Sequence, residues 1–336
     1  MTTAIPPGQA AAAPVRRRLL GLATASLLAG QGAAASAQGR WPERPLKLVV
    51  PFLPGGNSDA LGRVVAERLR EVLGQSVVVE NKPGGTTQVG TEFVARAEPD
   101  GYTMLLAAAT SFTVLPNLRK LPYDPDNSFE IAAGIADYVA IVGARNGLGV
   151  KTLPEFVALA KIQPGKLTWG SAGVASAGHL YGEVVKQQTG IDMLHVPFKG
   201  SSDLIAALGS GQIDLVIDGV ALGMARNNQA VALAAFFRRR HPELPNVPSL
   251  PETGLAIEIP AGGWGLAFPK GTARAIVEQA GAAIEKVMAE PDTRARLLKA
   301  SVVADWSSAT DYRRALAQGR AYFGALIKTA GIRLEG

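Results

Sequence analysis

The chain has 336 residues, of which 47% are hydrophobic and 18% charged, and its formal net charge is +6. This composition is typical of a globular protein with enough apolar material for one large core or two ordinary ones, and so mild a charge does not indicate a nucleic-acid partner. The sequence contains no cysteine, which excludes disulfides, thiol catalysis and cysteine-based metal centres.

The N-terminal segment has the pattern of an export signal. Arg16–Arg18 precede the apolar run Leu19–Leu28, and Ala35-Ser36-Ala37 resembles a cleavage site. The apolar run is far shorter than the roughly 20 residues of a membrane-spanning helix. We therefore expect a signal peptide over residues 1–37 and a mature chain that is not embedded in the membrane, with a net charge of +3. The arginines fit the twin-arginine and the ordinary secretory route equally well, so the route stays open.

Strand and helix patterns alternate in two stretches of the chain. In the first, the strand patterns LKLVVPF, SVVVE and YTMLLAAAT are separated by helix patterns, and Gly74 ends the first helix. The second has the strand patterns KLTWGSAG, MLHVPFKG and QIDLVIDG, with helix patterns HLYGEVVKQQTG and SSDLIAALGSG between them. This alternation predicts two α/β units with mostly parallel sheets.

Two similar extended segments, YVAIVGARNGLGV and GGWGLAFPKGT, flank the second unit and are predicted to cross between domains. Two helix patterns, 273–288 and 312–329, follow the second crossing and are joined by the strand-like SVVADW. The layout predicts a discontinuous first domain, residues 38–145 plus 260–336, and an inserted second domain, residues 146–259. We expect a ligand cleft between them.

The loops that follow the strands are rich in glycine and small polar residues. In PFLPGGNSDALGR the bare backbone N–H groups at the start of a helix attract an anion, although an ordinary capped turn explains this stretch equally well. Similar loops recur as NKPGGTTQVG and GSAGVASAGHL. Because the carboxyl ends of parallel strands lie at one edge of a sheet, the loops are predicted to line one mouth.

Several side chains near this mouth can either contact the ligand or have an ordinary structural role. A lone histidine such as His179 is more often packed than in contact with ligand. Lys199, in VPFKGSSD, faces either an anion or solvent. Asp218 and Asp59 either accept a hydrogen bond from the ligand or cap a nearby turn. The run Arg238–Arg240 is predicted to be a solvated surface.

Motifs for other chemistries are missing from the sequence. There is no GxxxxGK[ST] loop, no complete GxGxxG after a strand and no GxSxG nucleophile elbow. His195 and His241 have no second histidine or carboxylate at metal-ligand spacing. We therefore expect no metal, no cofactor and no catalytic residue.

A series of motifs in a fixed order gives a resemblance to a known family. The motifs are WPERPLKLVVPFLPGGNSDALGR, NKPGG, AEPDGYTMLLA, LPYDP, GSAGVASAGHL, HVPFKGSSDLIAAL, GQIDLVID and LPNVPSLPETG. Together they resemble the Bug-type periplasmic receptors of tripartite tricarboxylate transporters, from about Trp41 to Ile332. The resemblance implies a two-lobe periplasmic-binding-protein fold of type II character, in a monomeric periplasmic protein that closes over a small organic carboxylate. It also implies no catalysis and delivery of the ligand to a membrane permease.

The resemblance further implies that the loops Pro54–Asp59 and Pro83–Thr87 hold one ligand carboxylate, largely through backbone N–H groups and water. The predicted ligand-binding residues are Pro54, Gly55, Gly56, Asn57, Ser58, Asp59, Pro83, Gly84, Gly85, Thr86, Thr110, Ser111, Ser171, Gly173, Ser176, His179, Phe198, Lys199, Gly200 and Asp218.

The sequence departs from the family pattern at two places. Thr86 and Thr87 stand where relatives have a longer glycine-rich run, so the first carboxylate subsite is expected to gain hydroxyls and lose space. Phe112, Val114 and Leu115 predict a more apolar wall, which admits an aromatic or hydrophobic acid. Two alternatives stay open: a carboxylate sensor for a signalling system, and an exported α/β enzyme, which would require a nucleophile or metal in the mouth.

Overall fold

The computed structural model describes residues 1–4, 41–257 and 263–333. The chain divides into two compact units, Met1–Glu43 and Arg44–Gly336, and the strands and helices of the described residues all belong to the second unit. The predicted signal peptide lies almost wholly outside the described residues. No helix in the described ranges is long and apolar enough to cross a membrane.

The strands are β1 Leu46–Val50, β2 Val77–Asn81, β3 Thr103–Ala108, β4 Phe129–Tyr138, β5 Ala140–Arg145, β6 Thr168–Ser171, β7 Leu194–Pro197, β8 Leu215–Asp218, β9 Ala230–Phe236, β10 Trp264–Pro269 and β11 Val302–Ser308. The helices are α1 Asn57–Leu73, α2 Gln88–Ala95, α3 Ala109–Thr113, α4 Leu115–Leu118, α5 Leu153–Ile162, α6 Ala177–Thr189, α7 Ser201–Ser210, α8 Val220–Arg226, α9 Arg274–Ala289, α10 Pro291–Lys299 and α11 Ala309–Ala330, with a 3₁₀ turn at Leu250–Thr253.

The strands form two sheets. The first has the order β11-β4-β10-β3-β1-β2 and the second the order β7-β6-β8-β5-β9. In the first sheet β1 is parallel to β2 and β3, and in the second β6 is parallel to β7 and β8. The antiparallel pairs involve β4, β5 and β10, the strands next to the passages between the sheets. The predicted two-sheet α/β fold is confirmed, with parallel βαβ units in both sheets.

The first passage between the sheets is one residue long. Tyr138 ends β4 in the first sheet, and Ala140 begins β5, which pairs with β8 and β9 in the second sheet. The domain boundary predicted from the sequence lies after residue 145, which leaves β5 on the first-domain side. The return passage includes residues 258–262, which lie outside the described residues, and β10 then rejoins the first sheet.

Helix α1 shows how the apolar spacing sets the packing. Leu61, Val65 and Leu69 are fully buried on one face, and Gly74, in the left-handed conformation, closes the helix as predicted. The apolar spacing of the sequence also predicts Val72 on this face, but Val72 is 38% exposed. Helix α10 was not predicted, because it is short and buries little besides Leu297.

The long C-terminal helix α11 contributes to two cores. Tyr312 and Leu316, in its first half, belong to a cluster that includes residues of the first sheet. Phe323 and Leu326, in its second half, belong to a cluster built mainly around the second sheet. The helix therefore places the Phe323 side chain in the region between the two sheets.

Candidate ligand-binding cleft

A cleft of about 700 Å³ lies between the two sheets, at the loops that follow their strands. Nine of the twenty predicted ligand-binding residues line it: Gly56, Asn57, Ser58, Pro83, Gly84, Thr86, Thr110, Ser176 and Asp218. Eleven do not line it: Pro54, Gly55, Asp59, Gly85, Ser111, Ser171, Gly173, His179, Phe198, Lys199 and Gly200. The structure thus brings together residues from both sheets that are far apart in sequence.

The first loop presents the start of helix α1 to the cleft. Gly56 occupies the N-cap position, and among the described residues no side chain caps this helix start. The first N–H groups of a helix have no partner within the helix, so those near Gly56, Asn57 and Ser58 are available to an anion. The hydroxyl oxygen of Ser58 accepts a hydrogen bond of 3.1 Å from the indole N–H of Trp264, which fixes that side chain.

Asp59 stabilises this loop from beneath instead of facing the cleft. Its carboxylate accepts hydrogen bonds of 2.9 Å from the Gly55 N–H, from Arg63 Nε and from the Asn81 amide. Burial of the carboxylate opposes ionisation, but the bonds from Arg63, Gly55 and Asn81 hold the pKa of Asp59 below its ordinary value. The same Asn81 amide donates to the carbonyl of Phe52, so Asp59 is a positioning residue for the loop.

The second loop has an unusual backbone. Gly84, Gly85, Thr86 and Thr87 have successive positive φ angles of 129°, 56°, 54° and 80°. Left-handed conformations cost an L-residue roughly 1–2 kcal/mol each, so both threonines need support. Thr87 receives it from a hydroxyl–hydroxyl bond of 2.7 Å to Ser111.

The two threonine hydroxyls therefore have different surroundings. Thr86 is exposed at the cleft, whereas the Thr87 hydroxyl and that of Ser111 belong to a buried cluster that also includes Thr91, 3.0 Å from Ser111. Of the two hydroxyls expected to enrich the carboxylate subsite, the one of Thr87 is already bonded within the protein.

Backbone strain concentrates at the cleft. Five non-glycine residues of the described chain have positive φ, and four of them line it: Thr86, Thr87, Ala175 and Ser301. Conformations of this kind persist where surrounding structure enforces them, commonly at functional sites. This pattern supports the cleft as the functional region of the molecule.

On the side of the second sheet, a histidine pair supports the loop between β6 and α6. The rings of His179 and His195 stack with centroids 3.9 Å apart. His179 Nδ1 accepts the Ala175 N–H at 3.0 Å, and His195 Nε2 lies 2.7 Å from the Ser171 hydroxyl. That hydroxyl donates to the Gly173 carbonyl, which leaves its oxygen to accept from His195. His179 and Ser171, both predicted ligand contacts, thus hold the loop in place from outside the cleft.

Both rings are neutral at physiological pH. Burial lowers the pKa of His179 to about 4, with a smaller effect of Lys186. Burial also lowers the pKa of His195 to about 4, helped by His179 and Lys186. The pair therefore adds no positive charge beside the cleft.

Three other residues predicted to contact the ligand lie outside the cleft lining. Phe198 packs against a core cluster of the second sheet. Lys199 is exposed to solvent, which agrees with the second of its two readings. Gly200 is the N-cap of α7, whose first residue, Ser201, does line the cleft.

Asp218 is the one carboxylic acid among the residues that line the cleft in the described chain. Its oxygen accepts the Val220 N–H at 3.0 Å. Burial raises the pKa of Asp218, although hydrogen bonds that include Val220, Tyr138 and Ser201 oppose the rise. Tyr138, at the end of the first sheet's β4, also accepts the Gly219 N–H at 2.6 Å, which links the two sheets directly.

The cleft contains aromatic residues that the sequence did not identify as ligand contacts. Tyr138, Tyr181, Trp264 and Phe323 all line it. Tyr138 and Trp264 lie beside the two crossings that the sequence did locate, so their position was a usable signal. Tyr181 and Phe323 are ordinary apolar positions of helical patterns, and no local feature distinguishes them.

The apolar departure in AATSFTVLPNL is only partly directed at the ligand. Val114 lines the cleft, whereas Phe112 and Leu115 are buried in the protein interior, 1% and 0% exposed. Of the three residues predicted to form an apolar wall, Val114 alone lies at the cleft; other apolar residues that line it are Leu180 and Tyr181 of α6 and Phe323 of α11.

The electrostatics of the cleft come from the backbone. None of the described residues that line it is lysine, arginine or histidine. Helices α1, α6 and α7 begin at it, with Gly56, Ser176 and Ser201 among the lining residues. The positive ends of helix dipoles and free N–H groups favour an anion there.

A second, smaller cavity of about 380 Å³ contains ion pairs between the sheets. Arg238, which follows β9, is 2.8 Å from Asp137 of β4 and 2.8 Å from Asp305 of β11. Burial, assisted by Asp305, raises the pKa of Asp137 although the Arg238 guanidinium opposes it. The run Arg238–Arg240, predicted to be solvated, is exposed yet paired, with Arg239 on Asp305 and Arg240 on Glu252.

A large cleft between two α/β sheets, lined by the loops at their strand ends, defines the class of two-lobe solute-binding proteins. Comparison with known proteins places the chain within that class. The profile of the tripartite tricarboxylate transporter family receptor matches residues 61–332, and the chain belongs to this family.

Similar proteins support the assignment over nearly the full length. The UPF0065 protein in the gbd 5′ region of Cupriavidus necator is 32% identical over 320 residues, which cover 95% of this chain and 97% of that one. The structure of the periplasmic binding protein BugD is 31% identical, covers 88% of this chain and 100% of that chain, and has a TM-score of 0.71. An R. palustris protein solved with adipate is 29% identical, with a TM-score of 0.74 and coverage of 87% and 99%.

Proposed function

We propose that the protein is a periplasmic receptor that binds a small organic carboxylate in its cleft and delivers it to a tripartite tricarboxylate-type membrane permease. The observation that carries the proposal is the start of helix α1, which has no side-chain cap and lies at a cleft whose described lining has no basic side chain. Charge-assisted hydrogen bonds to backbone N–H groups bind a carboxylate without a neighbouring cation. The adipate-bound relative supports the same ligand class.

The ligand carboxylate is proposed to lie between the loops Gly56–Ser58 and Pro83–Thr86, with Thr110, Ser176 and Asp218 closing the site from other directions. Each charge-assisted bond contributes about 1.5–3 kcal/mol net. Asp59 and the histidine pair act indirectly, through the loops that they position.

Closure of the two lobes is proposed to trap the ligand. The proposed lobes follow the predicted division, with its first boundary moved from residue 145 to residue 139, because β5 pairs with strands of the second sheet. The bend is proposed to lie at the single-residue passage after Tyr138. Hinge closure of this kind is common in two-lobe binding proteins. We further propose that segment 1–37 directs export of the protein, that the protein is a monomer and that it delivers its ligand to a permease.

The protein is proposed to bind its ligand without catalysing a reaction. The described residues that line the cleft offer neither histidine nor lysine as a base, and their one carboxyl, Asp218, is surrounded by hydrogen-bond donors of the protein itself. A general base must reach a substrate proton, and an acid so bonded is better suited to fix the loop after β8.

A thermal-shift screen of residues 38–336 tests the proposal. The panel contains aliphatic, aromatic and di- or tricarboxylic acids, each beside its neutral primary amide. A ligand that binds the native state raises the melting temperature by mass action. We expect a shift with at least one acid and none with its amide; equal shifts with acid and amide, or shifts with non-carboxylates alone, would contradict the proposal.

A further inference from the structure

A buried tryptophan contacts the start of helix α1 from a distant part of the chain. Trp264 is the first residue of β10, which lies between β3 and β4 in the first sheet. Its indole N–H donates a hydrogen bond of 3.1 Å to the hydroxyl oxygen of Ser58, the second residue of α1. Both residues are buried, and both line the cleft.

The position of Trp264 is fixed by its neighbours. Its backbone pairs with Ala108 of β3 on one side and with Ala136 of β4 on the other. Its ring packs edge-on against Tyr138, with centroids 6.3 Å apart and an interplanar angle of 87°. A side chain locked by packing on a rigid strand presents its polar group in a constant direction. The indole N–H therefore points to the Ser58 hydroxyl whether or not a ligand is bound.

The chemistry of the two groups determines which of them is the donor. An indole N–H donates and has no acceptor atom, whereas a hydroxyl has one proton to donate and two lone pairs. Ser58 therefore accepts from Trp264 and keeps its own proton for another partner. Among the described residues that proton has no acceptor. Because Ser58 lines the cleft, the proton is available to a ligand atom there.

This end of the cleft then presents donors to the ligand. The first N–H groups of α1 have no side-chain cap in the described chain, and the Ser58 hydroxyl adds a further donor beside them. A carboxylate only accepts hydrogen bonds, whereas a primary amide or an ammonium group also donates them. A hydroxyl without the Trp264 bond is free to turn and accept from such a group. The indole N–H removes that freedom and so favours an acceptor.

We propose that Trp264 is a positioning residue of the carboxylate site. Its indole N–H holds the Ser58 hydroxyl so that the hydroxyl donates its proton to a carboxylate oxygen of the ligand. Trp264 thus acts through Ser58, and the pair selects for an acceptor at this point of the cleft. This inference rests on the proposed function, since it assumes that the cleft binds a carboxylate.

A double-mutant cycle tests this role by isothermal titration calorimetry. Trp264→Phe removes the N–H and keeps an aromatic ring, and Ser58→Ala removes the hydroxyl. Adipate, malate, citrate, glutamate and benzoate are titrated into the unsubstituted protein, and the tightest ligand of the five serves as the probe. We expect each single variant to weaken binding about tenfold, the loss of one charge-assisted bond. The double variant should bind within about twofold of Ser58→Ala, because Trp264 then has no hydroxyl to hold.

The cycle separates positioning from simple contact. A ring that only lines the cleft would weaken binding in the Ser58→Ala background as well, so a further loss above about twofold there would overturn the inference. Unchanged affinity of either single variant would also overturn it. Trp306→Phe is the control, because Trp306 is exposed and lies outside the cleft lining, and it should bind normally. If the unsubstituted protein binds none of the five acids, the proposed function fails, and the inference with it.

Nuclear magnetic resonance of the indole groups gives a measurement that does not need a stable Trp264 variant. Ser58→Ala removes the acceptor, so it should move the indole ¹H–¹⁵N signal of Trp264. Saturating acid should move the same signal in the unsubstituted protein, because a hydroxyl that donates to a carboxylate becomes a better acceptor. A signal that stays in place under either change would refute the positioning role.

Discussion

Replacing Gly56 with leucine should abolish ligand binding while the protein stays folded. Gly56 is the N-cap of α1 and has φ −87° and ψ 177°, an extended conformation that any residue adopts. A Cβ placed on it meets no heavy atom within 4 Å. The loss of glycine from an N-cap position costs about 1 kcal/mol, which the reduced entropy of the unfolded chain partly offsets.

The expected loss of affinity is much larger. A leucine side chain at this position occupies the space next to the first N–H groups of α1 and denies them to the carboxylate. Loss of two charge-assisted hydrogen bonds, each about 1.5–3 kcal/mol, gives about 3–6 kcal/mol, or roughly a 10²- to 10⁴-fold higher Kd.

Isothermal titration calorimetry with the strongest acid of the thermal-shift screen measures this effect. Gly209→Leu is the matched control, because Gly209 is exposed on α7 and a Cβ there also meets no heavy atom within 4 Å. The control should bind normally. If Gly56→Leu keeps its affinity within threefold while its melting temperature matches the control, the N–H groups of α1 do not hold the ligand.

Two further predictions concern stability. Because the folded pKa values of His179 and His195 are about 4, below the ordinary value of about 6.5, the unfolded chain binds more protons between these pH values. The free energy of unfolding should therefore fall, by about 3 kcal/mol for each ring, as pH drops from 6.5 to 4. Urea titrations should show a shallower fall with pH when both rings are replaced by glutamine, and an unchanged dependence on pH would contradict this. A Cβ on Gly182 would clash with the indole of Trp169, so Gly182→Ala should lower the free energy of unfolding by about 1–3 kcal/mol. Gly223→Ala is the control, because a Cβ there meets open space, and it should not lower this free energy. Equal stabilities of the two variants in urea would contradict the prediction.

Local signals in the sequence predicted the fold and located the loop at the start of helix α1. The turn PFLPGGNSDALGR and the spacing of Leu61, Val65 and Leu69 are properties of adjacent residues, so strand, loop and helix could be located and the exposed N–H groups anticipated. The alternation of such units then determined the two-sheet architecture, because parallel strands need helical crossovers.

The remaining parts of the site depend on contacts between distant residues. The neighbours of Asp59 in sequence did not decide whether it contacts the ligand or stabilises the loop. Its hydrogen bond from the Asn81 amide decides for the loop, and Asn81 belongs to the next strand, which local sequence does not place beside Asp59. The role of His179 in holding the loop between β6 and α6 likewise depends on His195, which stacks on it from strand β7. Phe323 lies about 140 residues or more from Val114, Leu180 and Tyr181, which line the cleft with it. Nothing within its helical pattern separates a residue that lines a cleft from one that fills a core.

The most direct test of the central claim is a crystal structure of residues 38–336 with the acid that gives the largest thermal shift. The account predicts one ligand carboxylate within hydrogen-bond distance, roughly 2.7–3.2 Å, of backbone N–H groups in the segments 56–58 and 84–86, with no lysine or arginine side chain in contact. A carboxylate bound instead by basic side chains, or placed away from these two loops, would contradict it.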